Sequence, residues 1–217
     1  MRRYEIKFDI SEYKLIDIVK DYKLKELHPK RKIQSIYFDT IDYDFFTDSE
    51  EGQTPRKKVR LRSYNEEQTY SLEIKYANSY YREKIVLSNF LYSNENFLKK
   101  MKELNINELI HPKLTVTYER YYYFSPIGRI TIDKNIYFQK INNFFKINSG
   151  IVKDNKTILE VKIQKEKFDK HEVLKCFNFK ESRNSKYCNG VNLLKEKYNC
   201  QILKKKKKIA TVILTFN

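Results

Sequence analysis

Polar and apolar residues alternate over short stretches along most of the chain, the period-two pattern of strands with one buried face. Arg3-Tyr4-Glu5-Ile6-Lys7-Phe8 alternates strictly, and Ile33 to Thr40 is strand-like. An acidic, aromatic turn follows at Asp42-Tyr43-Asp44-Phe45-Phe46. Three further strands are predicted at 56–64, 69–76 and 80–87, joined by connections short enough for hairpins. Residues 113–124 and 128–135 predict another hairpin across Ser125-Pro126, and 157–163 a further strand. Helical periodicity is sparser. Ser11 is placed to cap a helix carrying Leu15, Ile18, Val19 and Tyr22, and Ser93 one carrying Phe97, Leu98, Met101 and Leu104. A last helix is read from Tyr187, Val191, Leu194 and Tyr198.

Successive strand residues point to opposite faces, so the alternation also sorts charge. Lys58, Arg60 and Arg62 share one face, with Val59 and Leu61 on the other. Glu73 and Lys75 oppose Leu72 and Ile74; Arg82 and Lys84 oppose Ile85 and Leu87. Arg129 and Asp133 oppose Ile130 and Ile132, while Glu160 and Lys162 oppose Leu159, Val161 and Ile163. An ordinary sheet with a wet, charged outer face accounts for this pattern. A second arrangement accounts for it too: apolar faces packed on outer helices, charged faces enclosing a lumen. Adjacent Arg and Lys rows repel unless an anion lies between them, which favours the second.

Composition narrows the partner rather than the fold. Among 217 residues, 44 Lys and Arg stand against 28 Asp and Glu, a net charge of +16. Such an excess attracts polyanions, whether nucleic acid, anionic lipid or free phosphate compounds. Five of the lysines form the run Lys204 to Lys208, followed by an apolar end too short to span a membrane. The organisation expected is one domain over 1–200 with a lysine-rich tail at 201–217. Cys176, Cys188 and Cys200 form no C-x-x-C pair, and no signal-peptide pattern opens the chain. A reducing, cytoplasmic setting is the simplest expectation. His28, His111 and His171 have no partner at metal-ligand spacing and are read as surface or loop residues.

Nine motifs, in order, carry a family resemblance: Arg3-Tyr4-Glu5-Ile6-Lys7, Ser35-Ile36-Tyr37-Phe38-Asp39-Thr40, Lys58-Val59-Arg60-Leu61-Arg62-Ser63-Tyr64, Leu72-Glu73-Ile74-Lys75, Arg82-Glu83-Lys84, Tyr118-Glu119-Arg120, Arg129-Ile130-Thr131-Ile132-Asp133, Leu159-Glu160-Val161-Lys162, and Ser185-Lys186-Tyr187 with Gly190. They resemble the catalytic domain of the vacuolar transporter chaperone (VTC) polyphosphate polymerases, within the triphosphate tunnel metalloenzymes. The resemblance spans about residues 2 to 195. Tunnel hydrolases usually begin Glu-x-Glu-x-Lys; Arg3 in the first position favours the polymerase branch.

The resemblance implies an α+β fold: a closed, antiparallel, eight-stranded β-barrel, the triphosphate tunnel, with flanking helices. It implies phosphate binding by Lys7, Arg60, Arg62, Lys75, Lys84, Arg120, Arg129, Lys162 and Lys186, all but Lys162 also counted as catalytic. Glu160 is the implied ligand of Mn²⁺ or Mg²⁺. Lys162 has a second reading, as the ion-pair partner of Glu160. Glu5, Glu73 and Glu119 are read as balancing nearby cations, and Tyr37 and Asp39 as serving the fold. Asp133 is left between positioning Arg129 and sharing the metal. The implied activity moves the γ-phosphoryl group of ATP onto a growing polyphosphate chain. A tunnel triphosphatase or polyphosphatase and a silent polyphosphate-binding module are the alternatives. The partners expected are ATP and polyphosphate, not nucleic acid, with attachment to a membrane through a partner protein left open.

Overall fold

The computed structural model describes residues 3–11, 18–19, 22–79, 82–142, 146–147, 150–164, 171, 174–175, 177 and 179–197. The tail at 201–217 and most of the helix expected after Ser11 lie outside the described residues, although Ile18 and Val19 are helical. Eight strands lie on one antiparallel path: β1 (Arg3–Ile10), β10 (Thr157–Gln164), β7 (Gly128–Asn142), β6 (His111–Ser125), β2 (Lys25–Asp39), β3 (Arg56–Tyr64), β4 (Tyr70–Ala77) and β5 (Arg82–Phe90). Two short strands, β8 (Lys146–Ile147) and β9 (Val152–Asp154), pair β7 off that path. The helices are α1 (Asp44–Glu51), α2 (Asn94–Glu103) and α3, over 186–197.

Alternation places the core as the sequence implies. Val59, Leu61, Leu72 and Ile74 are buried against Phe97 and Met101 of α2 and Phe45 of α1. Ser93 caps α2, its side chain accepting from the Asn96 amide. A second apolar layer joins Ile6 and Phe8 to Ile130, Ile132, Leu159, Val161 and Ile163. The third cluster differs, because α3 presents Tyr187, Cys188 and Val191 to Tyr37, Val116, Tyr118 and Phe138 on the charged side of the sheet. There Gly190 lets α3 come close: a Cβ at that position would lie 2.6 Å from Cδ1 of Phe138.

The closed barrel does not form. The hydrogen-bonded path runs from β1 to β5, and among the described residues no pairing joins these two ends. The outer edge of β1 is taken by another part of the chain. Phe8 bridges Glu181, and the Ser182 amide donates to the Lys7 carbonyl at 2.8 Å. At the other end Arg82, Glu83 and Lys84 are exposed on β5, charges that suit an unpaired edge. Alternation dictates which face a residue occupies. Closure depends on stagger and tilt, which alternation does not encode.

Three elements also depart from their predicted limits. The segment read as a turn at 42–46 opens α1, because the Asp39 carboxylate accepts from the Phe45 and Phe46 amides at 2.9 Å. β2 begins eight residues before Ile33, in a stretch exposed on both faces that shows no alternation. β7 runs past residue 135, where Asn135 at φ 50 shifts the register and hides the continuing strand.

Candidate functional site

The strand path curls around a cavity of about 530 Å³ lined from β1, β2, β3, β4, β5, β6, β10 and the start of α3. Twelve Lys and Arg residues line it, against four Glu, although the Lys57 ammonium pairs with Glu108. Lys7, Arg60, Arg62, Lys75, Lys84, Arg120, Lys162, Lys186 and Glu160 are all among the lining residues. Arg129 is not. It sits on the same strand face as Asp133, four residues towards the start of β7 and opposite Lys162 in register.

Glu73, Asp133, Glu5 and Glu160, in or beside the cavity, are each held by cations. Glu73 accepts from Arg60 Nε at 2.9 Å and Arg62 Nη1 at 3.4 Å, with Lys84 Nζ at 3.2 Å. Burial opposes its charge, but Arg60 and Arg62 outweigh it and hold the carboxyl down to about 2. Asp133 accepts from Arg120 at 2.6 and 2.7 Å and from Lys186. It therefore positions Arg120 and Lys186; no contact to Arg129 is part of this arrangement. Lys162 Nζ lies 3.0 Å from both Glu5 Oε1 and Glu160 Oε1. Despite its burial, Glu160 stays well below the ordinary carboxylate range because Lys162, Lys7 and Arg120 surround it. Glu119 is elsewhere, paired with Lys30 and Asn135.

The cations are not all quiet. Lys7 donates to the Asn184 carbonyl at 2.7 Å, and burial with nearby Lys186 and Lys58 lowers its pKa. Lys75 is pulled down to about 8 by enclosure in protein and then by Arg60, although its side chain still reaches cavity solvent. Burial works to raise the Tyr37 phenol, but Arg60 and Arg62 outweigh it and bring it down to about 8. Arg60 Nη1 donates to that phenol at 2.8 Å, and the ring stacks on Tyr187 at 5.1 Å. Tyr37 thus belongs to the site as well as to the fold. Asp39 is structural: beyond α1 it accepts from the Tyr187 hydroxyl at 2.5 Å.

Several lining residues escaped the sequence reading of the site. Lys58 was on the right face and donates to Ser185 Oγ at 2.9 Å. Tyr118 lies under Arg120 and Lys186, and Asn184 and Ser185 enter through the segment that follows the β1 edge. Only tertiary structure brings that segment to the cavity. Arg56, Lys57 and Arg82 complete one mouth; the strand pattern placed Arg82 on the lysine face without marking it as a ligand.

For a divalent ion the donor set is spare. Among the described residues no group of three His, Cys, Asp or Glu side chains converges. A single ionised Glu160 suits a hard ion that draws its remaining ligands from phosphate oxygens and water. The Thr131 hydroxyl lies opposite Glu160 in register and is buried without a partner among the described residues. A hydrated ion held at Glu160 would offer it one. The residues fit such an ion.

The cationic cavity suits phosphate groups, and the fold around it is a curled antiparallel sheet. Solved structures share it: a protein from Pyrococcus horikoshii (TM-score 0.52, 11% identity, 88% of this chain and 99% of that one), a candidate adenylate cyclase from Bacillus halodurans (0.51, 14%, 85% and 96%) and a candidate adenylyl cyclase from Hippeastrum with a dominant triphosphatase activity (0.50, 13%, 86% and 93%). At these identities the likeness is one of fold. No curated protein matches the chain by sequence. The VTC domain profile matches residues 2–195, and the chain belongs to the VTC domain family. No helix among the described residues is long and apolar enough to cross a membrane.

Proposed function

We propose that this protein is a polyphosphate polymerase that moves the γ-phosphoryl group of ATP onto the end of a polyphosphate chain. One observation supports this above the rest: twelve Lys and Arg residues against four Glu line one cavity. Paired Arg and Lys rows at this density call for a multiply charged anion between them. Phosphoryl transfer then requires positioning and charge neutralisation more than a protein nucleophile. Arg60, Arg62 and Arg120 are braced by carboxylates and supply fixed forks of donors. Lys7, Lys75, Lys84 and Lys186 supply point charges. The bond from the γ-phosphorus to the bridging oxygen breaks, one forms to a terminal oxygen of the chain, and ADP leaves. Mn²⁺ or Mg²⁺ would be held by Glu160 and would neutralise charge on the transferring phosphates.

Water replacing the acceptor turns the same arrangement into a triphosphatase, the activity named for the Hippeastrum neighbour. One assay separates the readings. The full chain is incubated with ATP and Mn²⁺, and both free phosphate and long-chain polymer are measured. Polymer with little free phosphate is expected; free phosphate alone makes it a hydrolase, and tight polyphosphate binding with neither makes it a binding module. Glu160→Gln is expected to abolish polymer synthesis while leaving metal-free ATP binding within about two-fold, since it keeps shape and removes the charge that attracts the ion.

A further inference from the structure

Beyond Arg62 and Arg120 the concave face of the sheet changes character. The next residues inward on that face are Tyr64 on β3 and Tyr122 on β6, each two residues on from its arginine, about 7 Å along the strand. Between them stands Arg31 of β2, paired in register with Arg120. Its guanidinium lies 5.8 Å from the Tyr64 ring and 5.7 Å from the Tyr122 ring. His28 packs edge-on against Tyr122 at 5.9 Å. Tyr122 is buried, Tyr64 half-buried and Arg31 exposed, so two rings back a planar cation that faces solvent. The opposite mouth is built differently: Arg56, Lys57, Lys58, Arg82 and Lys84 crowd it with charge and almost no flat surface.

We infer that Arg31, held between Tyr64 and Tyr122, is a stacking platform for the base of a nucleotide whose phosphates lie against Arg62 and Arg120. This rests on the phosphate-binding reading of the cavity given above. A guanidinium plane stacks on any nucleobase, since every base has a π-face and stacking reads no hydrogen-bond pattern. Two tyrosine rings within cation–π reach of the guanidinium limit the rotamer freedom lost on binding. The platform lies one step along the strands from the lining residues Arg62 and Arg120, on the side away from the crowded cations, so the nucleotide enters with its base at the Arg31 end. The distal phosphates then point towards Lys7, Lys75 and the charged mouth. Recognition by stacking predicts a site tolerant of base identity: ATP and GTP bind alike, and both bind more tightly than a triphosphate with no base.

Tripolyphosphate is the decisive probe, because it keeps the phosphates and lacks the base. Binding of ATP and of tripolyphosphate is measured by calorimetry on the full chain, for the native protein, Arg31→Ala and Arg31→Lys. Arg31→Ala is expected to weaken ATP roughly ten-fold, within the range of one base-stacking contact, and tripolyphosphate by less than about two-fold. Arg31→Lys keeps the charge but loses the plane, and is expected to match Arg31→Ala for ATP. Unchanged tripolyphosphate affinity also reports that each variant is folded. Equal losses for both ligands, or rescue by lysine, would make Arg31 a point charge and overturn the platform. No loss for ATP would place the base elsewhere and overturn the platform equally. If the native protein binds neither probe, the phosphate reading of the cavity itself is wrong and the platform goes with it.

Discussion

Tyr37 and Lys75 are placed where a small change of pH alters what the cavity can hold. Both are brought to about 8, Tyr37 by Arg60 and Arg62 overcoming its burial, Lys75 by burial and then Arg60. As pH rises through this value Tyr37 gains a negative charge and Lys75 loses a positive one, so each step weakens attraction for an anion. Stability moves the other way. From pH 8 to about 10 the unfolded chain binds more protons than the folded one at both groups, and the ligand-free fold gains stability over that window. Affinity for tripolyphosphate is therefore expected to fall above pH 8 while the urea midpoint of the free protein rises. Tyrosinate absorbance should show one tyrosine ionising near pH 8, and Tyr37→Phe should remove that step and about half of the fall in affinity. A flat affinity profile from pH 7 to 9.5, with all tyrosines ionising near their ordinary value, would contradict this account.

Among the elements, α3 connects packing to chemistry. Its start supplies Lys186 to Asp133 and Ser185 to Lys58, while its body rests on Phe138 through Gly190. Gly190→Ala sets two effects against each other: better helix propensity by up to about 1 kcal/mol, and overpacking that typically costs about 1–3 kcal/mol. At 2.6 Å from a buried ring the overpacking wins. The variant is expected to unfold at lower urea and to bind tripolyphosphate less tightly, because α3 lifts its N-terminal residues away from the cavity. Stability and affinity equal to those of the native protein would show that the sheet yields at Phe138 without cost. This helix was legible in the sequence from Tyr187, Val191 and Leu194, as was the face shared by Lys58, Arg60 and Arg62, since both follow from periodicity. Arg31 and Asn184 were not. Arg31 stands in a stretch exposed on both faces, where no alternation survives, and Asn184 belongs to a loop held in place by tertiary bonds to β1 and, at Ser185, to Lys58 of β3. Asp39 as acceptor for the first-turn amides of α1 was also hidden, for the chain there reads as an acidic, aromatic turn.

For the molecule as a whole, the net charge of +16 must be divided between the cavity and the lysine run at 204–208. Charges that act through solvent are screened within about 8 Å at physiological salt, whereas braced arginines meet a phosphate at contact distance. Truncation after Leu203 is expected to lower affinity for long polyanions at low salt and to spare ATP turnover at physiological salt. Arg60→Ala with Arg62→Ala is expected to do the reverse, and a truncation that kills turnover would move the chemistry out of the cavity. The free edge of β1, taken by residues 181–182, bears on how a long polymer meets such a site. A hoop of strands admits a chain only by its end, so a polymer must be threaded and can leave only by running out. Here no strand pairing joins β1 to β5 among the described residues, and the outer edge of β1 carries only one backbone bridge, so the curl has a seam where a ring would have none. A seam of that kind needs no strand unpicked, and a polymer bound in such a cavity would have a way in at its middle as well as by its end.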